Sequence, residues 1–166
     1  MNFPFFYHNL KGRKKMRLVG IDALLAFATH VGQVAEKQDV LLLTGDLGAG
    51  KTTFTKGIAK GLGITQMIKS PTYTIIREYD GRLPLYHMDV YRIVSGSDEL
   101  GLEDYFEGDG LSVVEWGRQL EELPHDFLEI TLEKDPADET VRHLVFSIEG
   151  AQAQAFYDRI MVAPWK

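Results

Sequence analysis

A lysine and a threonine follow a glycine-rich run in the first third of the chain. Residues 45–52 read GDLGAGKT and fit the pattern G-x-x-x-x-G-K-T. Gly48 and Gly50 let backbone N–H groups turn inward, because glycine reaches positive φ without a Cβ clash. Lys51 supplies a cation for β- and γ-phosphate oxygens, and the Thr52 hydroxyl is placed to coordinate Mg²⁺. The pattern predicts a site for a nucleoside triphosphate with magnesium, and residues 45–52 are called the phosphate loop below.

The segments around the phosphate loop are those that such a loop requires. Val40 to Leu43 form an apolar run typical of a buried parallel strand. Apolar residues then recur every four positions at Phe54, Ile58 and Leu62, which predicts a helix whose positive N-terminal end faces the phosphates. The predicted nucleotide-binding residues are Gly45, Leu47, Gly48, Ala49, Gly50, Lys51, Thr52 and Thr53.

Hydrolysis also requires a carboxylate delivered from a neighbouring strand. Glu115 ends the uncharged run Leu111 to Val114, at the strand end where α/β sheets bind ligands, and we expect it to hold magnesium directly or through water. Asp89 lies in a polar cluster of another strand, and we expect it to orient the attacking water or read the γ-phosphate. Lys51, Asp89 and Glu115 are thus the predicted catalytic residues. The alternative for each acid is a surface carboxylate at a strand end.

Ser70 and Thr72 flank a proline between the phosphate-loop helix and the next strand. Nucleotide switches often place there a segment that senses the third phosphate, so we predict a switch-like role for both, together with Asp89. A plain turn is the alternative. Arginines that could stabilise transition-state charge are Arg77, Arg92 and Arg118. If none reaches the γ-phosphate, turnover alone should be slow, because an arginine finger contributes roughly 10³ to 10⁵ in rate.

The order of elements predicts an α/β fold: a three-layer sandwich, like that of P-loop NTPases, around a mixed central sheet. Two antiparallel hairpins, Thr72–Tyr79 with Leu83–Tyr91 and Phe127–Glu133 with His143–Ile148, are added to a parallel core. The expected helices are one capped by Asp22 and running to Val34, a short acidic one over Asp98–Phe106, a turn over Gln119–Leu123, and a last one over Ala151–Met161.

Charge is unevenly distributed along the 166 residues. The first 17 residues hold five of the 18 Lys and Arg and none of the 24 acids. We expect residues 1–17 to be a disordered basic extension, with Met16 as a candidate start, and residues 18–166 to form a single domain. A nucleic-acid or protein-binding arm is the alternative for the extension. The acidic remainder predicts that any contact with RNA runs through a partner.

Other classes of protein find little support in the composition. The chain has no cysteine, which excludes disulfides and sulfur-based metal sites. Its apolar runs are too short for a membrane span, and its aromatic residues precede its basic ones, opposite to a signal peptide. We therefore expect a cytoplasmic protein without membrane contact. No Asn-Lys-x-Asp segment is present, which favours ATP over GTP.

Four motifs together resemble the TsaE (YjeE) family of small bacterial ATPases. They are GDLGAGKTT at 45–53, SPTYT at 70–74, YHMDVYR at 86–92 and VEW at 114–116. The resemblance covers about residues 20–148, and the first 15 or so residues depart from the family's usual short N-terminus. It implies that Lys51 binds phosphate, that Thr52 and Glu115 bind Mg²⁺, and that Asp89 and the Ser70–Thr72 segment act as switches.

The resemblance also implies a role in making N6-threonylcarbamoyladenosine at position 37 of tRNAs that read codons beginning with A. Such proteins hydrolyse ATP and bind the complex of TsaD, the transferase, with TsaB, and their hydrolysis supports repeated modification cycles. Contact with tRNA would be indirect, through these partners. Two alternatives stay open: a small-molecule kinase with a phosphate loop, and a nucleotide-binding regulatory module with negligible hydrolysis.

Overall fold

The computed structural model describes residues 8–10, 13–71, 75–92 and 101–162. Within these ranges the chain forms one mixed sheet of eight strands with four α-helices. The strands are β1 (His8–Leu10), β2 (Arg13–Val19), β3 (Val40–Gly45), β4 (Ile76–Tyr79), β5 (Leu85–Asp89), β6 (Leu111–Glu115), β7 (Phe127–Lys134) and β8 (Val141–Glu149). The helices are α1 (Ile21–Val34), α2 (Lys51–Gly61), α3 (Leu102–Phe106) and α4 (Ala151–Val162).

The sheet has a parallel centre with antiparallel additions at both sides. Its strand order is β1-β2-β8-β7-β3-β6-β5-β4. Strands β7, β3, β6 and β5 run parallel, and β4 and β8 are each joined to them antiparallel, as hairpins. The predicted α/β fold, with two hairpins on a parallel core, is therefore confirmed.

Both faces of the central strands are covered, which explains their nearly uninterrupted apolar sequences. On β3, Leu41 and Leu43 belong to the larger core with α1, α2 and α4, whereas Val40 and Leu42 belong to a smaller core. The smaller core contains Leu102 of α3 and Leu120, which follows a 3-10 turn over Gly117–Gln119. Helix α2, which follows the phosphate loop, packs in the larger core.

The expectation of disorder over residues 1–17 is wrong for residues 8–10, which form β1 and pair with β2, and for residues 13–17. Residues 13–17 lie in β2, which pairs antiparallel with β8 from Lys14 opposite Phe146 to Val19 opposite Val141. Met16 and Leu18 are buried, because they alternate with the basic residues and face the core. Residues 1–7, 11 and 12 lie outside the described residues, and the assignment of 18–166 to one domain stays a prediction. No helix in the described ranges is both long and apolar enough to cross a membrane.

Local boundaries differ from the sequence expectations in four elements. Helix α1 has Gly20, not Asp22, at its N-cap position, and no side chain caps it. The turn expected over Gln119–Leu123 is formed two residues earlier, over Gly117–Gln119, directly after Trp116 adopts a left-handed conformation with φ of 61°. The acidic helix α3 begins at Leu102 and β4 begins at Ile76, while residues 98–100 and 72–74 of the two predictions lie outside the described residues.

Helices α1 and α2 cross with their backbones in close contact. A Cβ atom added to Gly61 would lie 2.0 Å from the Thr29 carbonyl oxygen, and one added to Gly32 would lie 2.2 Å from that of Ile58. Only glycine fits at either position, so each helix seats directly on the backbone of the other. The phosphate-loop helix is thereby fixed against α1.

Candidate nucleotide site

The phosphate loop connects the end of β3 to the start of α2, as its sequence predicts. Gly48 and Gly50 have positive φ, at 78° and 113°, and Gly50 occupies the N-cap position of α2. The loop is closed by a hydrogen bond of 3.0 Å that the Ala49 N–H donates to the Asp46 carbonyl. The free N–H groups at the start of α2 and its dipole therefore face the space beyond the loop, which favours an anion there.

Lys51 is held at the centre of this arrangement. It is buried, and its ammonium group donates a hydrogen bond to the Gly45 carbonyl. The same ammonium lies 4.2 Å from the centroid of the Trp116 ring, a cation–π contact. The phosphate loop and the end of β6 thus meet at the lysine.

A cavity of about 700 Å³ opens beside Lys51. That volume falls within the range of small-molecule and cofactor pockets. Predicted site residues that line it are Leu47, Gly48, Gly50, Lys51, Thr52, Thr53, Ser70, Asp89 and Glu115. Gly45 and Ala49 lie behind this lining: Gly45 accepts the hydrogen bond of Lys51, and Ala49 is buried. Thr72 lies outside the described residues.

Asp89 and Glu115 lie opposite each other at the carboxyl ends of the parallel strands β5 and β6. Glu115 is buried, and both acids line the cavity. Burial raises the pKa of Asp89 and the negative charge of Glu115 raises it further, while the backbone N–H of Tyr91, His87 and Lys51 act in the opposite direction. The two carboxyl groups are close enough to interact electrostatically, at the edge of the sheet where ligands are expected.

His87 holds the carboxylate of Glu115. Its Nε2 atom lies 2.9 Å from Glu115 Oε2, and the His87 side chain is fully buried. Within the described part of the chain, no partner for His87 Nδ1 is found. His87 and Asp89 are two residues apart on β5, so their side chains lie on the same face of the sheet. This spacing is the feature of the sequence that could have indicated the contact between His87 and Glu115.

Two aromatic rings form one wall of the cavity. Tyr91 and Trp116 have ring centroids 4.9 Å apart with a tilt of 53°. The Tyr91 residue is 57% exposed, and both residues line the cavity. Of the two rings, that of Trp116 lies directly beside the lysine.

The three candidate arginines have different surroundings. Arg118 donates to the buried Glu129 carboxylate, with Nη2 2.8 Å from Oε1, and this hydrogen bond, aided by the charge of Glu129, raises the pKa of Arg118. Arg92 lines the cavity. Arg77 lies on β4 opposite His87 in register. Arg92 is therefore the best placed of the three for a bound phosphate, and Arg118 is engaged elsewhere.

The oxygen donors at the cavity fit a magnesium ion. Thr52 and Glu115 both line it, and Asp89 is close to Glu115. The described residues contain no group of three or more His, Cys, Asp or Glu that could hold a metal by themselves. Mg²⁺ is usually bound by one or two carboxylates together with water and substrate phosphates, and Glu115 is a donor of that kind.

Two basic residues at the phosphate loop were not found by the sequence analysis. Arg142 Nε donates a hydrogen bond of 2.8 Å to the Ala49 carbonyl, and Lys134 Nζ donates one of 3.3 Å to the Leu47 carbonyl. Both residues lie in the hairpin of β7 and β8, far from the loop in sequence. No local motif marks them, because their position depends on the parallel pairing of β3 with β7.

The chain is similar in sequence to known proteins. A family model described as "Threonylcarbamoyl adenosine biosynthesis protein TsaE" matches residues 20–144. The chain is 51% identical over 138 residues, 82% of this chain and 86% of the other, to the tRNA threonylcarbamoyladenosine biosynthesis protein TsaE of Bacillus subtilis. It is 47% identical over 109 residues, 64% of this chain and 81% of the other, to the protein of the same name from Treponema pallidum.

A solved structure agrees with these matches. The crystal structure of Bacillus subtilis YdiB aligns with a TM-score of 0.78 at 41% identity, over 93% of this chain and 95% of that one. The similarity spans the phosphate loop and both strands that carry the candidate acids. On this evidence the chain belongs to the TsaE family, whose role is in tRNA threonylcarbamoyladenosine biosynthesis.

Proposed function

We propose that the protein is a magnesium-dependent ATP hydrolase whose reaction supports the N6-threonylcarbamoyladenosine modification of tRNAs that read codons beginning with A. One observation carries this proposal: Lys51 of the phosphate loop lines the same cavity as Asp89 and Glu115, which end two adjacent parallel strands. A phosphate loop explains binding, and the two acids add the groups that hydrolysis requires.

Each residue of the site has a role that follows from its charge and its burial. The ammonium of Lys51 and the N–H groups of the phosphate loop neutralise the β- and γ-phosphate oxygens. Thr52 and Glu115 hold Mg²⁺, which offsets negative charge on the phosphates. Asp89 orients the attacking water or reads the γ-phosphate. Ser70 and Thr72 are switch-like residues that respond to the third phosphate.

Hydrolysis by the isolated protein should be slow. Arg118 is paired with Glu129, so it is not free to stabilise the charge of the transition state. Arg92 lines the cavity and is exposed to solvent. The protein therefore depends on a partner complex, TsaD with TsaB, to supply or reorganise catalytic groups.

Contact with tRNA belongs mainly to these partners. After residue 17 the chain has 13 basic against 24 acidic residues, which disfavours binding to a phosphate backbone. The nucleotide state of the protein then gates docking to the modifying complex, and ATP hydrolysis supports the cycle without carrying out the transfer itself. Such a role places the protein in the cytoplasm.

The test is the rate of phosphate release from MgATP, measured with the protein alone and with TsaB and TsaD added. We expect slow release alone and faster release with both partners. Negligible release in the presence of both partners would instead indicate a nucleotide-binding regulatory module. Transfer of phosphate to an added metabolite would indicate a kinase.

A further inference from the structure

Two carbonyl groups of the phosphate loop point at cations from the β7–β8 hairpin. Arg142 Nε lies 2.8 Å from the Ala49 oxygen, and Lys134 Nζ lies 3.3 Å from the Leu47 oxygen. The acceptors are alternate residues of the loop. Each of them directly precedes a glycine of positive φ, Gly50 and Gly48 respectively.

The position of these carbonyls determines where the glycine N–H groups point. The Leu47 carbonyl and the Gly48 N–H belong to one peptide group, and the Ala49 carbonyl and the Gly50 N–H belong to another. A trans peptide is planar, with its C=O and N–H directed oppositely. A cation that holds the oxygen on the outer side therefore holds the N–H on the side of the cavity.

Glycine makes this restraint necessary. The same freedom of rotation that allows Gly48 and Gly50 to form the loop also allows their peptide groups to turn over at low cost. With the peptide turned over, a carbonyl dipole would face the phosphates and repel them. A charged hydrogen bond on each oxygen opposes that rotation.

The hairpin holds Arg142 rigidly for this task. Arg142 Nη1 donates to the carbonyls of Glu139 and Val141, at 2.8 and 3.0 Å, which leaves Nε directed at Ala49. Lys134 pairs with Arg142 in register across the two strands, and Gly45 of the loop pairs with Leu132 two residues before Lys134. The two cations and the loop are thus parts of one hydrogen-bonded sheet.

We propose that Arg142 and Lys134 are positioning residues that keep the N–H groups of Gly50 and Gly48 directed at a bound di- or triphosphate. They act through the loop backbone and not by direct contact with the nucleotide. This role rests on the proposed function, in which the loop binds ATP. Arg142 is expected to contribute more than Lys134, because it is anchored by its own hairpin and its hydrogen bond is shorter.

The test is the affinity for ADP measured by calorimetry, because ADP binding reports on the loop without requiring hydrolysis. Arg142→Met should weaken binding about tenfold, the size of one charge-assisted hydrogen bond, and Lys134→Met should weaken it less. Lys60→Met is the matched control, since it removes one positive charge from the exposed far end of α2. Its affinity should equal that of the wild type.

NMR spectroscopy of the nucleotide-free protein separates a positioning role of the two cations from a general loss of stability. The amide resonances of Gly48 and Gly50 should shift or broaden in Arg142→Met and Lys134→Met and stay unchanged in Lys60→Met. If Arg142→Met does not fold, Lys134→Met decides by the same two measurements. Unchanged amide resonances together with unchanged ADP affinity in a folded variant would overturn the role. Failure of the wild type to bind ADP or ATP would instead overturn the proposed function.

Discussion

The Nε2 atom of His87 and the Oε2 atom of Glu115 lie 2.9 Å apart in a region closed to solvent. His87 is on β5 and Glu115 on β6, so this contact joins the two strands that carry the candidate acids. It fixes one oxygen of the Glu115 carboxylate and leaves the other for a ligand. The orientation of the proposed magnesium ligand therefore depends on a histidine.

Replacement of His87 should destabilise the protein as well as impair the site. His87→Phe keeps much of the volume but removes the partner of a buried carboxylate, and we expect a loss of about 1–3 kcal/mol in the free energy of unfolding. Urea denaturation measures it. His87→Gln retains a donor and serves as the matched variant. If both variants unfold at the urea concentration of the wild type, the contact has no role in stability.

Glu115→Gln should lower hydrolysis far more than nucleotide binding. The amide retains the shape of the side chain and an oxygen for His87, but it lacks the negative charge that the proposed magnesium ligand supplies. The rate of phosphate release with TsaB and TsaD should fall, while calorimetric affinity for ADP without magnesium stays close to that of the wild type. Normal turnover in this variant would assign the metal role to another residue.

Lys51→Ala should weaken MgATP binding by about 1.5–3 kcal/mol, because one charge-assisted contact to phosphate is lost. Calorimetry measures the difference. Lys60→Ala, at the exposed end of the same helix, removes an equal charge and should bind as the wild type does. Equal affinities in Lys51→Ala and Lys60→Ala would contradict the phosphate-binding role.

Stability should depend on pH through a buried pair far from the cavity. Asp39, at the entrance to β3, is buried and pairs with Arg159 of α4. Burial raises the pKa of Asp39, and the charge and hydrogen bond of Arg159 act against that increase. Arg159→Met should therefore raise the pKa further and destabilise the ionised form, by about 3 kcal/mol, the lower end for one partner removed from a buried pair.

The sign of the pH effect follows from that pKa. A carboxyl group with a higher pKa in the folded state binds its proton more tightly when folded, so the penalty is full above the folded pKa and is relieved as pH falls through it. The loss of unfolding free energy in Arg159→Met should be larger at about pH 8 than at about pH 5. In an Asp39→Asn background this pH dependence should disappear. A loss that grows as pH falls would contradict the assignment.

Elements with strong local patterns could be predicted from the sequence. The phosphate loop, β3 and α2 follow from glycine positions, an apolar run and a four-residue repeat, all within about 25 neighbouring residues. Glu115 was placed correctly at a strand end because β6 is a short uncharged run. Its closeness to Lys51 follows from the parallel pairing of β3 with β6.

Features that depend on distant parts of the chain could not be predicted in this way. The basic residues around Met16 indicated a disordered extension. The apolar residues that alternate with them belong instead to β2, which pairs with β8 more than a hundred residues away. Arg142 and Lys134 contact the phosphate loop only because the hairpin is joined to β3. The left-handed conformation of Trp116 is likewise set by tertiary packing, since a bulky residue does not favour it.

The glycine contacts between α1 and α2 determine how motion at the loop can spread. Where Gly61 lies against the Thr29 carbonyl and Gly32 against that of Ile58, the two backbones touch with no side chain between them to absorb a displacement. A shift of α2 along its axis must therefore move α1 together with it, as one rigid unit. Substitution of a larger residue at Gly61 would force α1 and α2 apart. It would disturb the phosphate loop, which lies at the opposite end of α2.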